Sequence, residues 1–100
     1  MRRALLASLA RSLVLQGKVE TTSAKAKAIR PMVEKMITAA RGGGLANRRR
    51  VSASLGETTS KKLFETIGPG YSDRPGGYTR IIKKSASRGD NAEVVIIELV

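Results

Sequence analysis

Apolar residues in the first half of the chain recur at steps of three and four, the spacing that gives an α-helix one apolar face. The first such stretch runs through Leu13 and ends at Gly17, where glycine favours a helix stop. The second, which either Thr22 or Ser23 can cap, contains Pro31 and ends at the glycines 42–44. This pattern predicts two helices. The second should be kinked just before its proline, because proline lacks a backbone donor.

Two shorter helical stretches follow. One carries Val51 and Leu55 and ends at Gly56. The other runs from about Thr59 to Ile67 and stops at a Gly-Pro-Gly sequence. The chain therefore contains about four predicted helices.

Three segments have the alternation or β-branched content of strands: residues 18–21, 78–84 and 93–100. In the last, Val94 to Ile97 is apolar at every position, which is typical of a central strand with both faces covered. These features predict an α+β fold in two layers, with a small three-stranded mixed sheet of order 1-3-2 packed by about four helices. Residues 1–100 are expected to form a single domain.

Charge divides the chain into unequal halves. The net charge is +11, from 19 Lys+Arg and 8 Asp+Glu, and residues 1–50 alone hold 12 basic and 2 acidic residues. Such a half-chain indicates a polyanionic partner, nucleic acid or an anionic membrane. The chain has no histidine and no cysteine, so the usual nucleophiles, bases and zinc ligands are missing. We expect no enzyme, no cofactor, no metal and no small-molecule substrate.

The strongest local feature is the triplet Arg48-Arg49-Arg50, which has no acid three or four residues away. Three consecutive helical residues cover about 200° of the helix surface, so the arginines cannot all lie in one salt-bridge face. Arginine's planar fork suits phosphate oxygens.

We leave Lys35 and Arg41 out of the candidate set because Glu34 is near enough to pair with them. Glu98, near the end of the last strand, is expected to pair with another residue of the protein.

The segment from Arg74 to Arg80 combines glycine, arginine and Tyr78. Glycine lets the backbone approach a phosphate or ribose closely, and a tyrosine can stack on a base. Only three aromatic residues occur in the chain, so a stacking sheet of the RNA-recognition type is excluded. Recognition by charge, shape and backbone contact remains.

Three alternatives stay open from the residues alone. The helix around Arg48 could enter a DNA major groove. The first helix, with Arg2, Arg3 and Arg11, could lie on a membrane surface. The first 19 residues also resemble a mitochondrial presequence, although an amphipathic first helix of the domain itself is favoured because no linker follows.

Ordered motifs along the whole chain resemble one known family, the bacterial-type large-subunit ribosomal protein seventeen. The motifs are Arg3-Ala4-Leu5-Leu6, Val19-Glu20-Thr21-Thr22, Ala24-Lys25-Ala26-Lys27, Arg30-Pro31, Arg48-Arg49, Lys62-Leu63-Phe64-Glu65, Gly76-Gly77-Tyr78-Thr79-Arg80-Ile81, Arg88-Gly89-Asp90-Asn91-Ala92 and Ile96-Ile97-Glu98-Leu99-Val100. Family members usually carry an additional basic arm before the first helix, and here Met1-Arg2-Arg3 stands at the start of that helix.

The resemblance implies a structural constituent of the large ribosomal subunit, without catalytic activity, that binds large-subunit ribosomal RNA near the peptide exit tunnel. It implies neighbouring large-subunit ribosomal proteins as further partners, no membrane, and a cytoplasmic or organellar ribosome as the location. On this interpretation, several elements supply cations to phosphates of folded RNA. The expected RNA-binding residues are Arg2, Arg3, Arg11, Lys25, Lys27, Arg30, Arg48, Arg49, Arg50, Arg74, Arg80, Lys83, Lys84 and Arg88.

Overall fold

The computed structural model of the chain describes residues 3–84 and 93–100. Its elements follow in the order α1 (Arg3–Gln16), β1 (Lys18–Thr22), α2 (Ser23–Gly42), α3 (Leu45–Leu55), α4 (Glu57–Lys62), a π-helical turn (Leu63–Ile67), α5 (Gly68–Gly70), β2 (Thr79–Lys83) and β3 (Val94–Leu99). The predicted α+β class is confirmed.

The first two helices form as their apolar spacing predicts. On α1, Leu13 and Val14 are fully buried, so this helix belongs to the core of the domain. Gly17 follows with a φ of 85°, a conformation that glycine adopts at little cost. Thr22 caps α2, because its hydroxyl oxygen accepts a hydrogen bond from the Lys25 N–H at 3.4 Å. The apolar stripe of α2 is buried, at Ala26, Ile29, Val33, Ile37 and Ala40.

The proline in α2 does not end the helix. Pro31 is exposed, and α2 runs from Ser23 to Gly42 as one element. An exposed position accommodates the ring without crowding the core, and the buried stripe on the opposite side holds the helix together across the missing donor.

The fourth helix differs from its prediction at both ends. It begins at Glu57, directly after Gly56, and helical structure continues through Gly70. The π-helical turn places Leu63 and Ile67 in the core. Helical structure persists through the Gly-Pro-Gly sequence because this segment packs against α2, and tertiary packing outweighs the weak local preference of glycine.

The sheet has the predicted strand order, β1-β3-β2. The expectation of a mixed sheet was wrong, because both ladders are antiparallel. Gly17 and Ser23, at the two ends of β1, bond to Leu99 and Glu93 at the opposite ends of β3. This pairing fixes β1 antiparallel to β3.

Helices cover one face of the sheet. Val95 and Ile97 of β3 point into the core, whereas Val94 and Ile96 are only half-buried. Both α1 and α2 contact β3, so the sheet and the helices form the two expected layers. Among the described residues, no helix is long and apolar enough to cross a membrane.

Candidate nucleic-acid interface

The arginine triplet on α3 is divided among three directions. Val51 and Leu55 turn inward, and successive residues are about 100° apart. Arg48 lies on the side of α4, where its Nη2 is 3.1 Å from Glu65 Oε2 and 3.7 Å from Glu57 Oε1. These acids come from outside α3, so local spacing could not reveal them.

The other two arginines of the triplet, Arg49 and Arg50, are exposed. Neither has an ion pair or side-chain hydrogen bond with any residue that the structure describes. Arg50 lines a groove between α2 and α3, and Arg49 lines a second groove between α3 and α4. These two side chains are therefore the members of the triplet that are open to an external anion.

The predicted cations of α2 lie on two sides of the helix. Arg30 is exposed and its Nη2 donates to the Thr79 carbonyl oxygen at 3.4 Å, which ties α2 to β2. Lys27 is exposed on that same side, and Lys25 is half-buried. In the described part of the chain, neither lysine has a side-chain partner.

Each predicted cation on or beside β2 is paired with a carboxylate. The pairs are Arg80–Glu98 (2.5 Å), Lys83–Glu93 (3.5 Å) and Lys84–Glu20 (2.7 Å). The expectation that Glu98 serves within the protein is confirmed, since Arg80 stands directly opposite it in the β2–β3 ladder. The sheet therefore carries cations that are largely balanced by its own acids.

The glycine-containing loop does not present its tyrosine for stacking. Tyr78 is fully buried, and its hydroxyl contacts the Arg74 carbonyl oxygen at 3.1 Å. Its ring lies 5.1 Å from that of Tyr71 at 57°. The interpretation of Tyr78 as a base-stacking residue was wrong, because core packing takes both faces of its ring. Arg74 is exposed in this loop.

Tyr71 is the partly exposed member of this aromatic pair. Its hydroxyl donates to the carbonyl oxygen of Val100, which ties the loop after α5 to the end of the chain. Burial raises the pKa of the Tyr71 phenol above its ordinary value, and the charge of Arg74 opposes that shift.

Glu34 acts differently from its predicted role. Its Oε2 accepts from the Thr79 N–H at 2.9 Å and from the Thr79 hydroxyl at 2.8 Å, and its Oε1 accepts from the Tyr78 N–H at 3.3 Å. Arg41 donates instead to the Tyr78 hydroxyl and the Arg74 carbonyl. The expected pairing of Glu34 with Lys35 and Arg41 was therefore wrong.

This correction returns Lys35 to the set of candidate RNA contacts. The side chain is exposed on α2 and lines the same groove as Arg50. It has no ion pair among the residues described. The signal that could have found it is its helical position, since Lys35 lies on the opposite side of α2 from the buried Ala26.

The remaining predicted residues are placed as follows. Arg11 is exposed, and its Nε donates to the Leu55 carbonyl at the end of α3 at 3.1 Å. Arg3 is the first residue of α1. Arg2 and Arg88 lie outside the described residues. Across those described ranges, no group of three or more acidic side chains could hold a metal ion.

Comparisons with known proteins match nearly the whole chain. A family model described as ribosomal protein L17 matches residues 5–100. The chain belongs to the ribosomal protein L17 family. Large ribosomal subunit protein bL17 of Clostridium acetobutylicum is 53% identical over 100 residues, which cover 99% of this chain and 88% of that protein.

The bL17 proteins of two further bacteria are also about half identical to this chain over nearly its whole length. That of Desulforudis audaxviator is 50% identical over 99% of this chain and 89% of its own length. The bL17 protein of Gemmatimonas aurantiaca is 51% identical over 99% of this chain and 85% of its own length. The resemblance stated from the sequence motifs is thereby confirmed.

Proposed function

We propose that this chain is a structural constituent of the large ribosomal subunit and binds large-subunit ribosomal RNA through its helical surface. The observation that carries the proposal is the match of residues 5–100 to the ribosomal protein L17 family. A net charge of +11, concentrated in the first half of the chain, supports a polyanionic partner. RNA is favoured over DNA because family membership points to the ribosome.

In this proposal, RNA is bound mainly by the cations that have no partner within the protein. Six helical cations whose side chains the structure describes have neither an ion pair nor a side-chain hydrogen bond: Lys25, Lys27, Lys35, Arg49, Arg50 and Lys61. Each can neutralise a phosphate and release a condensed counterion, which is the main source of sequence-independent affinity. Arg80, Lys83 and Lys84 already face carboxylates, so their gain on meeting a phosphate is smaller. They stay in the proposed contact set as weaker members.

Arg48 has a mixed role in this proposal. It pairs with Glu57 of α4 and with Glu65 of the π-helical turn, and so links α3 to the segment that follows it. Its own side chain is one-third exposed, so it can contact a phosphate while it keeps an internal partner. No catalytic step is part of the function, which consists of recognition and scaffolding.

The location follows from the same family membership. We propose the ribosome as the site of action, in the cytoplasm of a bacterium or in an organelle, with neighbouring large-subunit proteins as partners. A position near the peptide exit tunnel is the expectation from the family resemblance.

The proposed phosphate contacts include six further arginines: Arg2, Arg3, Arg11, Arg30, Arg74 and Arg88.

A salt titration tests the proposal. The chain is mixed with large-subunit ribosomal RNA and its affinity is measured between about 50 and 200 mM salt. If about six phosphates are neutralised, affinity should fall by about a thousandfold over that range. A matched duplex DNA should bind more weakly. A flat salt response, or equal binding to both, would contradict it.

A further inference from the structure

A groove on the helical face is charged at one end and apolar at the other. At the charged end, Lys35 of α2 and Arg50 of α3 line a space of about 200 Å³ whose floor includes Met36 and Ala39. No acidic residue lines this space. The two cations therefore face an opening in which nothing from the described chain neutralises them.

The apolar end continues along α2 toward α1. Met36 and Ser54 line both parts of the groove, and the second part adds Met32, Ala7 and Leu55. The two methionines are one helical turn apart and half-buried. Methionine is flexible and polarizable, and its sulfur makes favourable contacts with aromatic rings. This end is therefore a good surface for a flat aromatic ring.

A nucleotide has the same polarity as this groove, because it joins an anionic phosphate to a flat base. We propose that the α2–α3 groove binds one unstacked nucleotide of the RNA, with its phosphate between Lys35 and Arg50 and its base over Met36 and Met32. The proposal rests on the RNA-binding function proposed above and assigns it a specific site. Extruded nucleotides in loops and bulges are the part of folded RNA that side chains can read.

The charge of the groove decides between this occupant and a protein segment. An apolar peptide would need an acidic group at the charged end, whereas any nucleotide carries one. Two further cations without a partner among the described residues lie on the same two helices, Arg49 next to Arg50 on α3 and Lys25 about two turns before Met32 on α2. A nucleotide in the groove therefore keeps its flanking phosphates within a cationic surface.

The test is a double-mutant cycle on binding to large-subunit ribosomal RNA, measured against salt. Lys35→Gln, Arg50→Gln and the double variant remove the two cations. If both hold one phosphate, the double variant should lower the salt slope by about 0.7–0.9, the value for one phosphate. Two separate phosphates would lower it by about twice as much. The control combines Arg50→Gln with Lys61→Gln, an exposed residue of α4, and its effects should add.

Two further variants fill the groove without changing its charge. Ala39→Leu acts from α2 and Ser54→Leu from α3. Both sites are at least partly exposed, so both variants should fold, as circular dichroism can verify. Each should weaken RNA binding by about tenfold, the loss expected when one base loses its platform, at unchanged salt slope.

The possible results separate this proposal from the function on which it rests. A wild-type chain without steep salt dependence would contradict RNA binding itself. If the wild type shows steep salt dependence but the losses in Lys35→Gln and Arg50→Gln are additive, the groove proposal is wrong while RNA binding stands. Normal affinity in both filled variants would have the same consequence. If the filled variants bind RNA normally yet fail to enter reconstituted subunits, the groove docks a protein and the proposal is wrong.

Discussion

Gly68 lies at a close approach between α2 and the helical segment that ends at Gly70. An added Cβ at this position would lie 2.6 Å from the Ala40 carbonyl oxygen and 2.7 Å from the carbonyl carbon. Both atoms belong to the backbone, so neither can rotate away. Gly68 has an ordinary helical φ of −54°, and the need for glycine here is therefore steric. We predict that Gly68→Ala destabilises the domain.

The magnitude follows from two opposing terms. Overpacking a well-packed site costs about 1–3 kcal/mol, and the upper value applies because backbone must move. Alanine recovers about 1 kcal/mol through its higher helix propensity. The free energy of unfolding should thus fall by about 2 kcal/mol. For a domain of this size that loss lowers the melting temperature by about 8–16 °C.

The chain contains a matched control two residues away. Gly70 lies in the same helical turn, and an added Cβ there meets nothing within 4 Å. Gly70→Ala should leave the melting temperature unchanged or raise it slightly. Both variants are compared with wild type by thermal and urea denaturation followed by circular dichroism. If Gly68→Ala melts within a degree or two of Gly70→Ala, the proposed close approach is wrong.

Three further predictions concern stability and binding. Glu34→Ala should lower the free energy of unfolding by about 1–3 kcal/mol in urea denaturation, because the buried Thr79 loses its acceptor; an unchanged midpoint would contradict this role. Because burial raises the pKa of Tyr71, its phenol releases its proton first in the unfolded chain. The wild type should therefore lose stability as pH rises above about 10, more steeply than Tyr71→Phe in unfolding measured against pH. Arg49→Gln should weaken RNA binding with unchanged stability, whereas Arg48→Gln should also cost about 0.2–1 kcal/mol of stability; equal stability of the two variants would remove the structural role of Arg48.

The helices and strands could be predicted from the sequence where local spacing determines them. The apolar stripe of α2, the cap at Thr22 and the glycine stops at Gly17 and Gly56 act within a few residues, and the structure has them where expected. The end of the fourth helix depends on packing against α2. Gly68 resembles a stop signal in the sequence, yet it permits contact with Ala40.

The candidate interface was less predictable because its charges are balanced across the fold. Glu34 bonds to Tyr78 and Thr79, more than forty residues along the chain, and thereby leaves its neighbour Lys35 open. Tyr78 was assigned to a surface loop, but its side chain is fully buried beside α2, where its hydroxyl meets Arg41. The partners of Glu34 and the burial of Tyr78 have no signal in local spacing, whereas the exposure of Lys35 follows from its position on α2 opposite Ala26.

The same long-range pairing changes what the charge asymmetry of the chain means. Residues 51–100 hold nearly equal numbers of acids and bases, and in the structure Glu93 and Glu98 pair with cations of the sheet. Glu57 and Glu65 cross instead to Arg48 of the first half. The acids of the second half therefore neutralise the sheet and the α4 side of α3. In the described part of the chain, most cations without a partner lie on helices, chiefly α2 and α3, so the salt dependence of RNA binding should respond to those helices far more than to the sheet.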